Sequence, residues 1–158
     1  EIESESLVLN MESFNLNSVV ENAIKTFEGE AKKKTICFAF SEAPQEIIAD
    51  RDKMSQVFVN LISNAVKYTD SGTIKISFDK RSDMLEIKIR DTGIGISEKD
   101  LPHIFEYLYR SDESRSRNTG GSGIGLSIVK SIITAHAGRI YVQSEPGKGT
   151  EFTIEMNL

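Results

Sequence analysis

Three stretches of the chain carry residue types that can do chemistry. Asn60, Asn64, Lys67 and Tyr68 stand at i, i+4, i+7 and i+8, which puts them on one face of a helix. A carboxamide oxygen is a hard ligand suited to Mg2+, an ammonium suits phosphate, and a phenol ring offers a stacking edge. Taken alone, this stripe reads first as a solvated polar face. The second stretch, Asp91-Thr92-Gly93-Ile94-Gly95-Ile96, directly follows an alternating apolar run. Its glycines let backbone approach a ligand closely, and a carboxylate at a strand end accepts a hydrogen bond from an amino group such as that of adenine. A plain strand-to-helix turn accounts for the same residues equally well. The third, Gly120-Gly121-Ser122-Gly123-Ile124-Gly125-Leu126, leads into a helical pattern. Successive backbone N–H groups at a helix N-terminus make an anion site natural for phosphates. The common nucleotide signatures are absent. There is no G-x-x-x-x-G-K-[ST], and Glu98 and Leu126 stand where the dinucleotide fingerprint needs its last glycine.

The elements that must position these residues are legible in the apolar periodicity. Leu16, Val19, Val20, Ala23, Ile24 and Phe27 predict a helix capped by Asn15 or Asn17. Ile36, Phe38 and Phe40 alternate as in a strand, with Cys37 as a half-buried thiol between them. Met54, Val57, Phe58, Leu61, Ile62 and Ala65 predict a second helix, starting near Asp50 or Asp52 and ending at Asp70-Ser71-Gly72. Ile74/Ile76/Phe78 and Leu85/Ile87/Ile89 predict a hairpin turning at residues 80–83. Ser97 and Asp100 form an S-x-x-D capping box before Leu101, Ile104, Phe105 and Leu108 at helical spacing. A last helix carries Ile124, Ile128, Val129, Ile132 and Ile133. Two closing strands, Ile140/Val142 and Phe152/Ile154/Met156, flank the turn 145–149. Paired strands interrupted by helices predict an α+β domain: a two-layer sandwich in which a mixed, mainly antiparallel sheet has its helices on one face. Residues 1–14 read as a lead-in rather than a core element, and 15–158 as the domain proper.

Composition narrows the classes. The 158 residues are 39% hydrophobic and 27% charged, as in an ordinary globular domain, and a formal net charge of −5 argues against nucleic acid as the main partner. No apolar run approaches the ~20 residues of a membrane span. One cysteine excludes an internal disulfide, and with two histidines it argues against a zinc site of the usual kind. Lys32-Lys33-Lys34 reads as the solvated end of a helix, and His136 as a cation placed at a helix C-terminus. His103 reads as an ordinary residue of the capped helix.

In their order along the chain, the motifs resemble those of sensor histidine kinases. Asn60-Leu61-Ile62-Ser63-Asn64-Ala65-Val66-Lys67-Tyr68 resembles the N box and Asp91-Thr92-Gly93-Ile94-Gly95 the G1 box. Ile104-Phe105-Glu106-Tyr107-Leu108-Tyr109-Arg110 resembles the F box, Gly121-Ser122-Gly123-Ile124-Gly125-Leu126 the G2 box, and Gly147-Lys148-Gly149-Thr150-Glu151-Phe152 the closing turn. Two positions depart from the pattern. Leu108 replaces the F box's second phenylalanine, and Tyr107 stands where Arg is common. The resemblance implies the ATP-binding fold shared with Hsp90, DNA gyrase and MutL, with a flexible lid at about 110–123. It implies that Asn64 binds Mg2+, Asn60 sits beside the phosphates, and Lys67 and Arg110 contact phosphate. Tyr68 and Tyr109 would line the nucleotide, and Asp91 would bind the adenine amino group with Thr150 helping through water. Gly93, Gly95 and Ile96, together with Gly121, Ser122, Gly123, Ile124, Gly125 and Leu126, would supply the surrounding backbone.

ATPases of this fold place a glutamate as general base one helical turn before the metal-binding asparagine. Here that position is Asn60, and a carboxamide takes no proton at neutral pH. The resemblance therefore implies phosphoryl transfer from Mg-ATP rather than hydrolysis. The acceptor would be a histidine on a preceding dimerisation domain, to which residues 1–14 lead. A response regulator is an indirect partner. The isolated domain is expected to be a monomer and the full protein a homodimer, with this part in the cytoplasm. A hydrolysing ATPase subunit and a non-catalytic ATP-binding module are the alternatives. Asn60 speaks against the first, and the intact Asn64, Asp91, Gly123 and Gly125 against the second.

Overall fold

Every second residue in three of the strands is buried: Ile74 and Ile76, then Leu85, Ile87 and Ile89, then Phe152, Ile154 and Met156. Strict alternation gives a sheet one apolar face. The structure, a computed structural model, describes residues 7–41, 45–107, 109 and 125–158. Its elements are β1 (Met11–Asn15), α1 (Leu16–Lys33), β2 (Ile36–Phe40), β3 (Glu46–Asp50), α2 (Arg51–Tyr68), β4 (Gly72–Arg81), β5 (Met84–Asp91), α3 (Gly125–Ala135), β6 (Arg139–Glu145) and β7 (Gly149–Asn157), with a 3-10 turn at Leu101–His103.

The main sheet runs in the order β2-β4-β5-β7-β6, with β2 parallel to β4 and the other pairs antiparallel. Its register stacks Ile76, Ile89, Phe152 and Val142 in one row and Phe78, Ile87, Ile154 and Ile140 in the next. The intervening residues, among them Glu86, Lys88, Thr153 and Glu155, put charge and hydroxyls on the other face. The helices cover the apolar face. α1 packs on α2 and α2 on α3, and Leu16, Phe58, Leu61, Ile62, Ile132 and Ile133 are fully buried between the layers. The architecture is the expected two-layer α+β sandwich. Among the described residues, no helix is long and apolar enough to cross a membrane.

Several local expectations change. Residues 11–14 belong to β1, which pairs antiparallel with β3, and Phe14 joins the core. β3 itself has no clean alternation to announce it, because Ile47, Ala49 and Asp50 are buried while Ile48 is 65% exposed. Asn15 is the N-cap of α1 and Asp50 that of α2. The hairpin of β4 and β5 turns tightly at Ser82 and Asp83, with Arg81 already paired to Met84. Cys37 lies on the polar face of β2 and is exposed rather than half-buried.

Among the described residues that follow Ser97, the predicted helix is a 3-10 turn at Leu101–His103. The Asp100 N–H does bond Ser97 Oγ at 3.3 Å. The Asp100 carboxylate, however, is taken by the Ser97 hydroxyl at 2.9 Å and by the Tyr109 hydroxyl, so it does not reach back to close the box. That short turn still places Ile104 in the core and the Phe105 ring against Phe152.

His136, at the end of α3, bridges two elements. Its Nε2 accepts the Asp50 N–H at 3.0 Å, and its Nδ1 lies 2.8 Å from the Ile132 carbonyl. Of the basic run, Lys32 and Lys33 are solvated, but Lys34 is not. Its Nζ donates to the carbonyls of Val66, Lys67 and Thr69 at 2.7, 3.2 and 3.4 Å. The ammonium thus caps the C-terminus of α2, where orphan carbonyls and the helix dipole both favour a cation. Lys34→Met should lower the unfolding free energy by about 1–3 kcal/mol, measured by urea titration. An unchanged midpoint and slope would show the cap to be energetically idle.

Candidate functional site

The apolar rows of the sheet end in a polar one. Beyond Ile89, Phe152 and Val142, the next residues on the same face are Asp91, Thr150 and Ser144, in cross-strand register. Asp91 is only 7% exposed. Its Oδ1 accepts two backbone N–H groups, from Gly93 at 2.9 Å and Thr150 at 3.2 Å. Its Oδ2 has no hydrogen-bond partner among the described residues. Burial pushes the carboxyl above the ordinary Asp range, against the two N–H bonds that hold it down.

The loop after β5 folds against the end of α2. The Ile94 N–H bonds the Tyr68 carbonyl at 2.9 Å. A Cβ on Gly93 would stand 2.2 Å from that carbonyl oxygen, so only glycine fits there. A Cβ on Gly95 would stand equally close, 2.2 Å from the Glu145 carbonyl oxygen at the end of β6, and the Gly147 N–H bonds the Ile94 carbonyl at 2.7 Å. Ser144 ties the same loop down by accepting the Ile96 N–H at 2.7 Å.

Asn60, Asn64, Lys67 and Tyr68 lie half-buried along α2. Among the described residues their side chains have no hydrogen bond or ion pair. From Asn60 to Tyr68 the helix rises roughly 12 Å. At the Asn60 end, its Oδ1 lies 3.5 Å from where a Cβ on Gly125 would stand, so the start of α3 meets the polar stripe there. At the other end, Tyr68 adjoins the Asp91 loop. The first turn of α3, Gly125 and Leu126, is therefore brought to one end of the stripe and Asp91 with Gly93 to the other. Tyr109 turns its hydroxyl to Asp100 and stacks its ring on His103, centroids 5.3 Å apart. Arg110, Gly121, Ser122, Gly123 and Ile124, Leu108 of the F box, and the loop at about 110–123 lie outside the described residues.

Sequence reasoning passed over Ser144 and Lys34. Nothing in the alternation of β6 distinguishes Ser144 from its neighbours, and Lys34 sits in a run of three lysines that looks uniform. Only the fold shows that both reach residues far away in the chain.

The arrangement offers a buried acceptor, a glycine-tight loop and a strip of carboxamide, ammonium and phenol groups ending at a helix N-terminus. That combination suits a base at one end and phosphates at the other. Sensor histidine kinase GacS of Pseudomonas protegens is 36% identical to this chain over 165 residues, which covers 99% of this chain and 18% of GacS. The catalytic domain of histidine kinase ThkA, solved nucleotide-free, matches with a TM-score of 0.79 and 27% identity over 94% of this chain and 98% of that one. Full-length ShkA, solved with AMPPNP, matches with a TM-score of 0.81 and 27% identity over 95% of this chain and 31% of ShkA. The model of the family described as histidine kinase-, DNA gyrase B-, and HSP90-like ATPase matches residues 49–158. The chain belongs to that family, as an ATP-binding catalytic domain of the sensor histidine kinase type.

Proposed function

We propose that this chain binds Mg-ATP and presents its terminal phosphoryl group to a histidine carried on a separate dimerisation domain. The chain spans less than two fifths of the length of the curated relatives it matches, 18% of GacS and 38% of SenX3, so the whole-protein activity is part of this proposal. The observation that carries it is the Asp91 carboxylate, buried yet holding one oxygen unclaimed beside a loop that tolerates no side chain at Gly93. An amino-bearing base fits there. The structure of ShkA with AMPPNP supports an adenine nucleotide as the ligand.

In this reading Asp91 accepts from the adenine amino group, with Thr150 beside it, and Gly93, Gly95 and Ile96 form the floor. Tyr68 lines the base or ribose, and Lys67 meets phosphate. Asn60, Gly125 and Leu126 sit at the phosphate end, where the resemblance also puts Arg110, Gly121, Ser122, Gly123 and Ile124. Asn64 offers one carboxamide oxygen. Among the described residues no group of three His, Cys, Asp or Glu side chains can hold a metal. Asn64 would hold Mg2+ through its carboxamide oxygen, with the nucleotide's phosphate oxygens supplying further hard ligands. When bound, it neutralises charge on the phosphate oxygens. The chain's own residues position the nucleotide and supply donors. The incoming imidazole nitrogen forms the new bond to phosphorus as the bond to the leaving oxygen breaks.

Asn60 cannot take a proton from water, so the bound nucleotide is kept for transfer. A response regulator would receive the phosphoryl group downstream, and the full protein would act as a homodimer with this domain in the cytoplasm. Two measurements on this chain test the proposal. Calorimetry should show ATP binding that weakens when EDTA removes Mg2+. Radiolabelled ATP should then leave no label on the chain, including His103 and His136, and release phosphate no faster than buffer. Absence of ATP binding overturns the site assignment. Sustained hydrolysis by the purified chain overturns the transfer reading and restores an ATPase.

A further inference from the structure

Ser144 lies at the centre of the polar row that ends the sheet. Three groups reach its hydroxyl: the Ile96 N–H at 2.7 Å, the Gly149 carbonyl at 2.9 Å and the Thr150 hydroxyl at 2.8 Å. A serine hydroxyl has one hydrogen and two lone pairs. The Ile96 N–H can only donate, so it occupies one lone pair. The Gly149 carbonyl can only accept, so it takes the hydrogen. One lone pair remains, and the Thr150 hydroxyl must donate into it. The direction of the Thr150 proton is thereby fixed.

Thr150 is 8% exposed and beside Asp91, to which its own N–H donates. Among the described residues its hydroxyl has no partner but Ser144. With its hydrogen committed, Thr150 Oγ1 offers only lone pairs, as does Asp91 Oδ2. We infer that Ser144 is a positioning residue that holds the Thr150 hydroxyl as an acceptor, so that the base end of the pocket selects purines with a 6-amino group over those with a 6-oxo group. This rests on the reading that the Asp91 end receives the base. A 6-oxo group brings lone pairs to lone pairs, and a site built to accept a donor rejects the analogue that lacks one. Without Ser144, the Thr150 hydroxyl is free to turn and donate to a 6-oxo oxygen. Asp91 still opposes that oxygen, so the preference narrows without reversing.

The test is calorimetric titration of ATP and inosine triphosphate into the wild-type chain and its variants, with melting curves confirming that each is folded. The wild type should favour ATP. In Ser144→Ala the ratio of the two affinities should fall about tenfold. Ser144→Cys, which fills the space with a weak acceptor, should move the ratio in the same direction and serves if the alanine variant does not fold. Ser144→Thr keeps the hydroxyl and should keep the wild-type ratio. In a Thr150→Val background, Ser144→Ala should no longer change the ratio, since Ser144 sets it through the Thr150 proton while its bonds to Ile96 and Gly149 bear on both nucleotides alike. Equal losses for both nucleotides, or the same ratio change with and without the Thr150 hydroxyl, would make Ser144 a structural tether and overturn the inference. A wild type that binds neither nucleotide overturns the nucleotide reading itself, which is a different result.

Discussion

Asp91→Asn should weaken ATP binding by about tenfold to a hundredfold, the cost of losing a hydrogen bond to a charged acceptor. The same change should leave the nucleotide-free chain at least as stable as the wild type at neutral pH. These opposite effects have one origin. Burial is the largest influence on the Asp91 carboxyl and raises its pKa, while the Gly93 and Thr150 N–H groups only partly offset it. A carboxyl whose folded pKa lies above its unfolded value is held more comfortably as the neutral acid. Its contribution to stability is therefore fully present below the ordinary Asp range and is lost as pH rises through the raised folded value. At neutral pH the folded chain carries that penalty, and asparagine removes it while its carbonyl oxygen still accepts from Gly93 and Thr150. The stability gap between wild type and variant should narrow on acidification. Calorimetry with ATP, paired with melting curves at neutral and acid pH, checks both halves. Unchanged ATP affinity would remove Asp91 from the base site, and a variant melting well below wild type at neutral pH would show that the charge stabilises the fold after all.

The pairing of strained stability with binding also explains which parts of this molecule can be read from the chain. Elements that bury one face announce themselves. The alternation in β4, β5 and β7 and the stripe of α2 are dictated by the core, and these predicted strands and this helix match the observed ones closely. Elements whose pattern is set by contacts elsewhere do not. β3 has Ile47 and Ala49 facing the core but Ile48 exposed and Asp50 buried as a helix cap, so its five residues show no readable period. β1 buries Phe14 alone, which looks like an isolated aromatic until β3 pairs with it. The turn after Ser97 fails in the opposite sense. Its apolar spacing is helical, but Asp100 is drawn to the hydroxyls of Ser97 and Tyr109, a competition invisible to periodicity.

The site divides in the same way. Asp91, Gly93, Asn60 and Asn64 each have an ordinary reading when taken alone, and they stand out only through the order and spacing of their motifs along the chain. The residues that hold them in place look ordinary. Lys34 fixes the end of α2 from 32 to 35 residues away in the chain, and Ser144 ties the Asp91 loop from 48 residues away. Such partners become visible only when the strands are in register.

Gly149→Ala should be severely damaging for a single added methyl group, costing about 3–5 kcal/mol of stability. Gly149 opens β7 with φ +118, a conformation that side chains rarely adopt. An added Cβ would stand 2.0 Å from the Asp91 carbonyl oxygen, 2.9 Å from its carbon and 3.0 Å from Thr92 Cα. All three atoms are backbone, so no side chain can swing away. Relief requires β7 to move off β5 where Thr150 N bonds Asp91 and Ser144 bonds the Gly149 carbonyl. The melting temperature should drop by roughly 6–20 °C, and ATP affinity should fall with it because Asp91 loses its frame. Two other glycines calibrate the effect. Gly147, φ +82, has nothing within 4 Å of an added Cβ, so alanine there meets only the left-handed penalty of about 1–2 kcal/mol. Gly29 lies inside α1, also with open space around it and no positive φ, so Gly29→Ala should gain about 0.5–1 kcal/mol. Thermal melts should therefore rank Gly29→Ala above wild type, then Gly147→Ala, then Gly149→Ala. If the Gly149 and Gly147 variants melt together, β5 and β7 are not in the tight contact that holds Asp91, and the frame of the base site must lie elsewhere.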